Sequence, residues 1–186
     1  MTQYPNRAIE TQRSHVYHGQ VSLVLTSFED FDEDQATLAS RNFPDSGFPL
    51  FGHTSSMSWS DYLARLEDWR AGRRTPEGEV RAFFAAARVD GELVGSALIR
   101  FELNDQLAFE GGHVGYGVLP QFRRRGYATQ ILQQAVLVAR SEGVSSVLVT
   151  CDDSNTGSIG VIAKCGGVLE SVLINGEGTR LRRYWI

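Results

Sequence analysis

The chain has 186 residues, of which 42% are apolar, and a formal net charge of -4 at neutral pH. This length suits a single domain, and the apolar fraction is that of a globular protein rather than a disordered chain. No run approaches the roughly 18 apolar residues that a membrane-spanning helix needs, so we expect a cytoplasmic protein with no membrane partner. Two cysteines, Cys151 and Cys165, are too few for a disulfide framework or a four-cysteine zinc site, and we expect no metal.

The basic residues are almost all arginine, because Lys164 is the only lysine among the 18. Arginine suits planar contacts with carboxylate or phosphate, although genome composition produces the same excess. The net acidity argues against general nucleic-acid binding, which needs a basic face, so we expect no nucleic-acid partner. One basic cluster contrasts with this background, at residues 123–125.

The first part of the chain predicts a polar tail and then a strand and two helices. Residues 1–20 lack the apolar segment of a secretory signal peptide, and we treat them as a tail outside the domain. The expected elements are a strand at 21–25, a helix near 32–40, a loop at 41–58 and a helix ending near 70. His53, in the aromatic-rich loop, is a candidate for contact with a substrate.

The remainder predicts alternating strands and helices. The expected strands lie at 80–89, 92–101, 111–120, 146–151, 168–174 and 179–186, and the expected helices begin at 126 and near 155. Asp90-Gly91 is a strong signal for a two-residue hairpin between the first two of these strands. Glycines within the strand at 111–120 indicate a bulge or the close approach of another backbone or a ligand. Residues 21–186 are therefore predicted to form one mixed α/β domain.

A basic, glycine-containing segment follows a strand and opens a helix. It reads Arg123-Arg124-Arg125-Gly126-Tyr127-Ala128-Thr129. Free amides at the start of a helix, together with the positive end of its dipole, bind phosphate well. A small residue at 128 allows close approach of the phosphate to the backbone. By itself this pattern is weak, since an exposed basic turn before an amphipathic helix has the same composition.

The segment YGVLPQFRRRGYAT resembles the acyl-CoA signature of the GNAT superfamily of N-acetyltransferases, with Arg123, Gly126 and Ala128 at its defining positions. A second block, CDDSNTGSIGVIAKCGGVLE, is similar to the later strand-helix element of the superfamily through Asn155, Ser158 and the Lys-x-Gly end. The arrangement looks most like a bacterial branch of predicted acetyltransferases.

This resemblance implies an α/β fold with a mixed, mostly antiparallel central sheet, helices on both faces, and a splayed strand pair that binds acyl-CoA. Backbone groups of residues 117–119 would pair with the pantetheine arm, and a backbone N–H near Val118 would polarise the thioester carbonyl. Amides of the phosphate segment would hold the pyrophosphate, and Asn155 would bind the pantetheine arm. The implied cofactor-binding residues are Gly117, Val118, Leu119, Arg123, Arg124, Arg125, Gly126, Tyr127, Ala128, Thr129, Asn155 and Ser158.

The catalytic groups are harder to assign. Many relatives carry a tyrosine seven residues after the asparagine that protonates the leaving thiolate, but this position holds Ile162. For a general base, the strand expected at 109–118 offers Glu110, His113 and Tyr116, of which His113 has a suitable intrinsic pKa. We name His113, Glu110 and Asn155 as candidate catalytic residues. A strand histidine held by hydrogen bonds is the competing interpretation of His113.

Two functions follow from the resemblance. The first is an acyltransferase that moves the acetyl group of its co-substrate acetyl-CoA directly to a primary amine of a small molecule or peptide. The second is a degenerate member of the fold that binds acyl-CoA or a metabolite without turnover. Homodimers are common in the superfamily, so a homodimer is compatible with either function.

Overall fold

The computed structural model of the protein describes residues 22–42, 53, 56–75 and 77–186, so the expected tail and most of the expected loop lie outside the described residues. The strands are β1 (Leu23–Thr26), β2 (Ala82–Val89), β3 (Glu92–Arg100), β4 (Val114–Val118), β5 (Leu148–Asp152), β6 (Val168–Ile174) and β7 (Arg180–Trp185). The helices are α1 (Glu33–Asn42), α2 (Trp59–Arg70), α3 (Asp105–Phe109), α4 (Tyr127–Ser141) and α5 (Thr156–Lys164). No described helix has the length and apolarity required to cross a membrane.

The first four strands form an antiparallel sheet in the order β1-β2-β3-β4. The β2–β3 turn is made by Asp90 and Gly91, with φ angles of 50° and 84°, which is the double left-handed conformation of a type I′ hairpin. Every residue of β2 is buried. Because successive side chains of a strand point to opposite faces, both faces of this sheet are covered.

Helix α4 packs against this sheet through an apolar face. Its buried residues are Ile131, Leu132, Ala135, Val136 and Ala139, which recur at helical spacing. Gln134 joins the helix to the edge strand, because its side-chain oxygen accepts the Leu25 N–H at 3.1 Å and its amide donates to the Leu23 carbonyl. The middle of α4 is thereby fixed over the sheet at β1.

The last three strands form a second antiparallel sheet in the order β5-β7-β6. The two sheets meet at a single bridge between Gly112 and Val149 and at the His113 N–H, which donates to the Leu148 carbonyl at 2.8 Å. Gly112 has a φ of 66°, and a Cβ there would lie 2.6 Å from the Leu148 oxygen, so the contact requires glycine. Beyond it, no ladder in the described ranges joins β4 to β5. The expected antiparallel α/β fold with a splayed strand pair is confirmed, with its sheet divided in two.

The strand expected at 109–118 is shorter than predicted. The preceding segment forms α3, whose first turn is capped by the Asn104 side chain accepting the Leu107 N–H at 2.9 Å. Glu110 ends this helix, and the left-handed glycines at 111 and 112 turn the chain into β4. Glu110 therefore does not lie on the strand where it was expected.

Candidate active site

A cleft of about 840 Å³ opens where β4 separates from β5. Its walls are the end of β4, the start of α4 and one side of α5. The structure brings ten of the twelve residues expected to bind the cofactor onto these walls: Gly117, Val118, Arg123, Arg124, Gly126, Tyr127, Ala128, Thr129, Asn155 and Ser158. The other two, Leu119 and Arg125, do not line the cleft.

Leu119 is directed into the fold. Its N–H donates to the Val94 carbonyl at 2.9 Å and its own carbonyl accepts the Phe122 N–H at 2.9 Å, so neither group is available to a ligand. Arg125 also turns away, because its guanidinium donates to the Gln121 carbonyl at 3.2 Å and lies 5.5 Å from the centre of the Phe122 ring. The structure therefore does not support Leu119 as a cofactor-binding residue, and it turns the Arg125 side chain away, while the assignment of the Arg125 backbone N–H stays a prediction.

The loop between β4 and α4 places the remaining arginines. The Arg123 Nε donates to the Val118 carbonyl at 3.1 Å and so ties the loop to the strand. Arg124 and Gly126 have φ angles of 64° and 82°. For a non-glycine residue such as Arg124 the left-handed conformation is uncommon and often marks a functional turn. Of the three arginines at 123–125, Arg124 is thus the one whose exposed side chain is left to interact with a ligand at the mouth of the cleft.

The start of α4 supplies unpaired amides. Gly126 occupies the N-cap position and has no side chain to satisfy them. The N–H groups of Tyr127 and Ala128 begin the helix, where no intrahelical acceptor exists. The Thr129 N–H already donates to the Gly126 carbonyl at 3.1 Å. The amides of Tyr127 and Ala128 are therefore candidate donors to an anionic ligand, whereas the Thr129 amide is already paired.

The backbone of β4 alternates between the sheet and the cleft. The His113 carbonyl accepts the Arg100 N–H at 2.7 Å, and the Leu119 N–H donates to the Val94 carbonyl, so the odd-numbered residues face β3. Backbone groups of successive residues in a strand point to opposite sides. The N–H groups of Tyr116 and Val118 therefore point away from β3, toward the cleft.

The α5 wall is built from small residues. Asn155 is the N-cap, and its side-chain oxygen accepts the Ser158 N–H at 3.0 Å, which leaves its amide hydrogens to donate elsewhere. Gly157 and Gly160 line the cleft one turn apart. A Cβ at Gly160 would have no atom within 4 Å, so packing within the protein does not require glycine there. A glycine within a helix costs about 1 kcal/mol of stability relative to alanine. In return, the two glycines keep this side of α5 free of side chains and so leave room in the cleft.

Comparison with known proteins identifies this architecture. The family model described as "Acetyltransferase (GNAT) family" matches residues 39–167. The chain belongs to the GNAT acetyltransferase family. A comparison with curated proteins gives no significant match.

Three solved GNAT-type structures share the fold. An N-acetyltransferase from Staphylococcus aureus Mu50 has 18% identity and a TM-score of 0.60, covering 89% of this chain and 98% of its own. The microcin C7 self-immunity acetyltransferase MccE, in complex with acetyl-CoA and AMP, has 19% identity and a TM-score of 0.59, with coverages of 88% and 91%. RimL, a ribosomal L7/L12 alpha-N-protein acetyltransferase in complex with coenzyme A, has 15% identity and a TM-score of 0.60, with coverages of 90% and 96%.

Two candidate catalytic residues of this GNAT domain lie outside the cleft. His113 is buried, and its Nδ1 accepts the Leu148 N–H at 2.9 Å, so it joins the two sheets at their junction. Burial, reinforced by the nearby Arg100 charge, lowers the pKa of His113 below its usual value. Glu110 lies beyond the same junction, at the end of α3. Asn155, the third candidate, is the member of the group that lines the cleft.

Ile162, at the position where many GNAT enzymes have a tyrosine, is fully buried and belongs to the core. A Cβ at Gly167 would lie 2.4 Å from the Ile162 Cγ2 atom, so the glycine that follows α5 accommodates this side chain. His53 also lies apart from the cleft, with its ring centre 5.0 Å from that of Tyr62 on α2. Neither residue faces the space between β4 and α5.

Tyr116 lines the cleft, but its hydroxyl oxygen is buried away from the cleft surface. Burial raises the pKa of Tyr116 to about 12, and an interaction of the hydroxyl with the Ser158 side chain offsets part of that effect. The group is therefore a neutral hydroxyl at physiological pH.

The cysteines are close to Tyr116 but are poorly suited to nucleophilic chemistry. Burial raises the pKa of both the Cys151 and the Cys165 thiols. At Cys151 the Arg182 charge opposes the effect of burial, while the Asp152 and Asp153 charges raise the pKa of the thiol further. A thiol held neutral in this way is a weak nucleophile.

Several cleft residues were not identified from the sequence. They are Phe122, Gly157, Gly160 and Val161. The paired glycines left a signal, because two helix-disfavouring residues three apart within one short helix indicate a face that must stay free of side chains. Tyr116 and Lys164 also line the cleft, although the sequence singled them out only as a possible base and as the lysine of the Lys-x-Gly end.

Proposed function

We propose that this GNAT-family protein transfers an acetyl group from acetyl-CoA directly to a primary amine. The observation that carries the proposal is the cleft bounded by the end of β4, the start of α4 and α5, which includes the unpaired amides of Tyr127 and Ala128. A cleft with helix-start amides on one wall fits a ligand that joins a long arm to a pyrophosphate.

Each part of acetyl-CoA has complementary groups in the cleft. The pyrophosphate would accept hydrogen bonds from the amides at the start of α4, with Arg124 adding positive charge. The pantetheine arm would pass along the glycine wall of α5, within reach of the free amide hydrogens of Asn155. The thioester oxygen would accept a hydrogen bond from the Val118 N–H, and such a donor stabilises the negative charge that develops on this oxygen during acyl transfer.

Direct transfer is favoured over an acyl-cysteine intermediate because Cys151 and Cys165 have raised thiol pKa values and no basic side chain adjoins Cys151 in the sequence. In direct transfer the neutral amine nitrogen attacks the thioester carbon, the C–N bond forms, and the C–S bond breaks with its electron pair moving to sulfur. The amine must lose a proton before attack, so a base or a water chain is required.

We propose a small-molecule or peptide amine as the acceptor. The structural neighbours support both classes, since RimL is named as a protein acetyltransferase and MccE as an acetyltransferase of microcin immunity. Both cysteines are free thiols, which is compatible with a reducing cytoplasm, the location we propose. A homodimer remains part of this proposal because it is common in the superfamily.

A binding module without turnover is the second candidate. It is favoured by the burial of Ile162 where many relatives have a tyrosine, and by the structural hydrogen bond that occupies His113. Both candidates require the same occupied cleft, so binding of acetyl-CoA does not separate them.

The deciding experiment measures binding and turnover on the same protein. Titration calorimetry with acetyl-CoA tests the cleft, and release of free CoA thiol in the presence of a panel of small amines and peptides tests transfer. We expect tight binding and amine-dependent thiol release. Binding without thiol release for any amine would favour the module, and absence of binding would overturn both candidates.

A further inference from the structure

The second sheet ends in an exposed apolar strand. The strand order β5-β7-β6 leaves one side of β6 without a partner strand in the described ranges. Four of the nine exposed large apolar side chains in the described part of the chain lie on this seven-residue strand, and two of them, Val168 and Ile174, are 70% and 64% exposed. Monomeric proteins commonly protect such an edge with lysine, proline or a covering element. An uncovered apolar edge strand therefore indicates an interaction surface.

A bulge divides β6 and holds the only charged residue of the strand. The pairing of β6 with β7 shifts between Leu169 and Ser171, which leaves Glu170 as the extra residue. The Glu170 carboxylate accepts the Arg183 Nε–H at 2.6 Å and the Trp185 indole N–H at 2.9 Å. This charge is thus paired within the chain, and the regular part of the edge lies between the bulge and the β6–β7 turn.

The backbone of this regular part offers hydrogen-bonding groups to a further strand. The Asn175 N–H donates to the Thr179 carbonyl across the β6–β7 turn at 3.0 Å. Because the backbone groups of alternate residues point to the same side of a strand, Leu173 also faces β7. The N–H and C=O groups of Val172 and Ile174 therefore point to the open side, where no described strand pairs with them.

The charges beside the open edge are already paired. Val172 and Ile174 lie opposite Arg182 and Arg180 in the ladder with β7. Both arginines donate to the Asp153 carboxylate, at 2.6 Å and 3.0 Å. A strand that approaches this edge therefore meets apolar side chains and backbone groups, with the charges of β6 and β7 held in ion pairs. A strand of the same sequence fits this environment, because two such edges meet without repulsion between like charges.

We propose that β6 is the interface of a homodimer, in which it pairs antiparallel with β6 of a second copy about a two-fold axis at Leu173. In this register Val172 of one copy lies opposite Ile174 of the partner subunit, and the two Leu173 side chains lie opposite each other. Val172 and Ile174 would also exchange their outward backbone hydrogen bonds across the axis. The strand is complementary to itself, since an apolar side chain faces an apolar side chain at each position from 172 to 174. The inference goes beyond the proposed reaction, because no described residue of β6 lines the cleft.

Sedimentation velocity over a concentration series tests whether this dimer forms. We expect a reversible monomer–dimer equilibrium between roughly 1 μM and 1 mM, because pairing of one short strand buries less surface than a standard interface of about 1,600 Å². A wild-type protein that stays monomeric throughout this range overturns the inference.

Two double variants test the register. Val172→Lys with Ile174→Glu places opposite charges across the axis, whereas Val172→Lys with Ile174→Lys places like charges there. Opposite charges at directly facing positions stabilise a pair of strands and like charges destabilise it, so the first variant should dimerise at least about tenfold more tightly than the second. Equal dimer affinities of the two folded variants overturn the inference.

Leu137→Lys is the matched control, because Leu137 is also an exposed apolar residue, 65% exposed, but lies on α4. It should leave the dimer affinity unchanged. A loss of affinity as large as that of the like-charge variant would place the contact away from β6 and would overturn the inference.

Hydrogen exchange on the wild-type protein covers the case in which the double variants do not fold. The Val172 and Ile174 amides should exchange at least about threefold more slowly above the dimer Kd than below it, while the Leu173 amide, already directed at β7, changes little. Exchange that does not depend on concentration overturns the inference. Calorimetric titration with acetyl-CoA on the same samples keeps the two proposals apart. A monomeric protein that binds acetyl-CoA overturns this inference alone, and a dimeric protein that does not bind it overturns the proposed function alone.

Discussion

Replacement of Gly126 by aspartate tests the anion site at the start of α4. Gly126 lines the cleft, and a Cβ there has no atom within 4 Å, so the new carboxylate meets no steric barrier. It would lie next to the amides of Tyr127 and Ala128 and would compete for them with a ligand phosphate. Gly126→Asp should therefore weaken acetyl-CoA binding strongly, by repulsion and by occupation of the donors.

The magnitude follows from electrostatics. Two like unit charges about 4 Å apart repel by about 1 kcal/mol in water and about 4 kcal/mol at an effective dielectric constant of about 20. For an open cleft we expect a loss of about 2–3 kcal/mol, which corresponds to roughly 30- to 150-fold weaker binding. The stability of the folded state should change little. The left-handed φ of 82° costs aspartate about 1 kcal/mol, and the attraction between its carboxylate and the helix dipole offsets a similar amount.

Calorimetric titration with acetyl-CoA measures the change, and two variants act as controls. Gly178→Asp adds the same charge at a matched φ of 81°, and its Cβ would also enter open space. Gly178 lies in the β6–β7 turn and does not line the cleft. Gly126→Ala introduces the strain without the charge. Both should bind acetyl-CoA within a few-fold of the wild type. Unchanged affinity in a folded Gly126→Asp protein would refute the proposed anion site.

Three further predictions concern stability and pH. Gly160→Ala should stabilise the protein by about 0.5–1 kcal/mol in urea unfolding, because its Cβ would enter open space and alanine favours helix; a loss of stability would contradict this. Gly95→Ala should destabilise it by about 3 kcal/mol or more in the same assay, since its Cβ would lie 2.2 Å from the Gly117 oxygen, and a neutral effect would contradict the packing described. Burial lowers the pKa of His113 in the folded state below its ordinary value of 6.5. As the pH falls, the unfolded chain therefore takes up a proton before the folded chain does, and the folded state loses stability below about pH 6.5. His113→Gln should reduce this fall in urea midpoints measured from neutral to mildly acidic pH, and an identical slope would show that His113 is not its source.

Local sequence determined much of the architecture because its signals act over a few residues. The dipeptide Asp90-Gly91 supports the double left-handed turn that joins β2 to β3, and the buried face of α4 follows from apolar spacing alone. The segment at 123–129 predicted the phosphate-binding start of a helix for the same reason, since helix termini leave amides unpaired whatever surrounds them.

Errors arose where a side chain or backbone group had competing partners. Glu110 was placed on a strand because its neighbours fit one, yet the Asn104 cap and the glycine pair at 111 and 112 make a short helix and a turn there. Arg125 lies in the basic triplet but bonds back to Gln121 and stacks near Phe122. A sequence pattern shows which residue types are present, but it does not show which of several possible partners each group will bond to.

The sequence by itself determined that this is a small α/β domain, and it predicted a site for an anionic group at the start of α4. Only the tertiary structure decided which groups share the cleft: the alternation of β4 turns the Val118 N–H away from β3, while Ile162 is directed into the core and His113 is held at the sheet junction. The physical reason is that these positions depend on contacts of β4 with β5 and α5, which follow β4 in the chain by 30 residues or more and meet it only when the two sheets pack together.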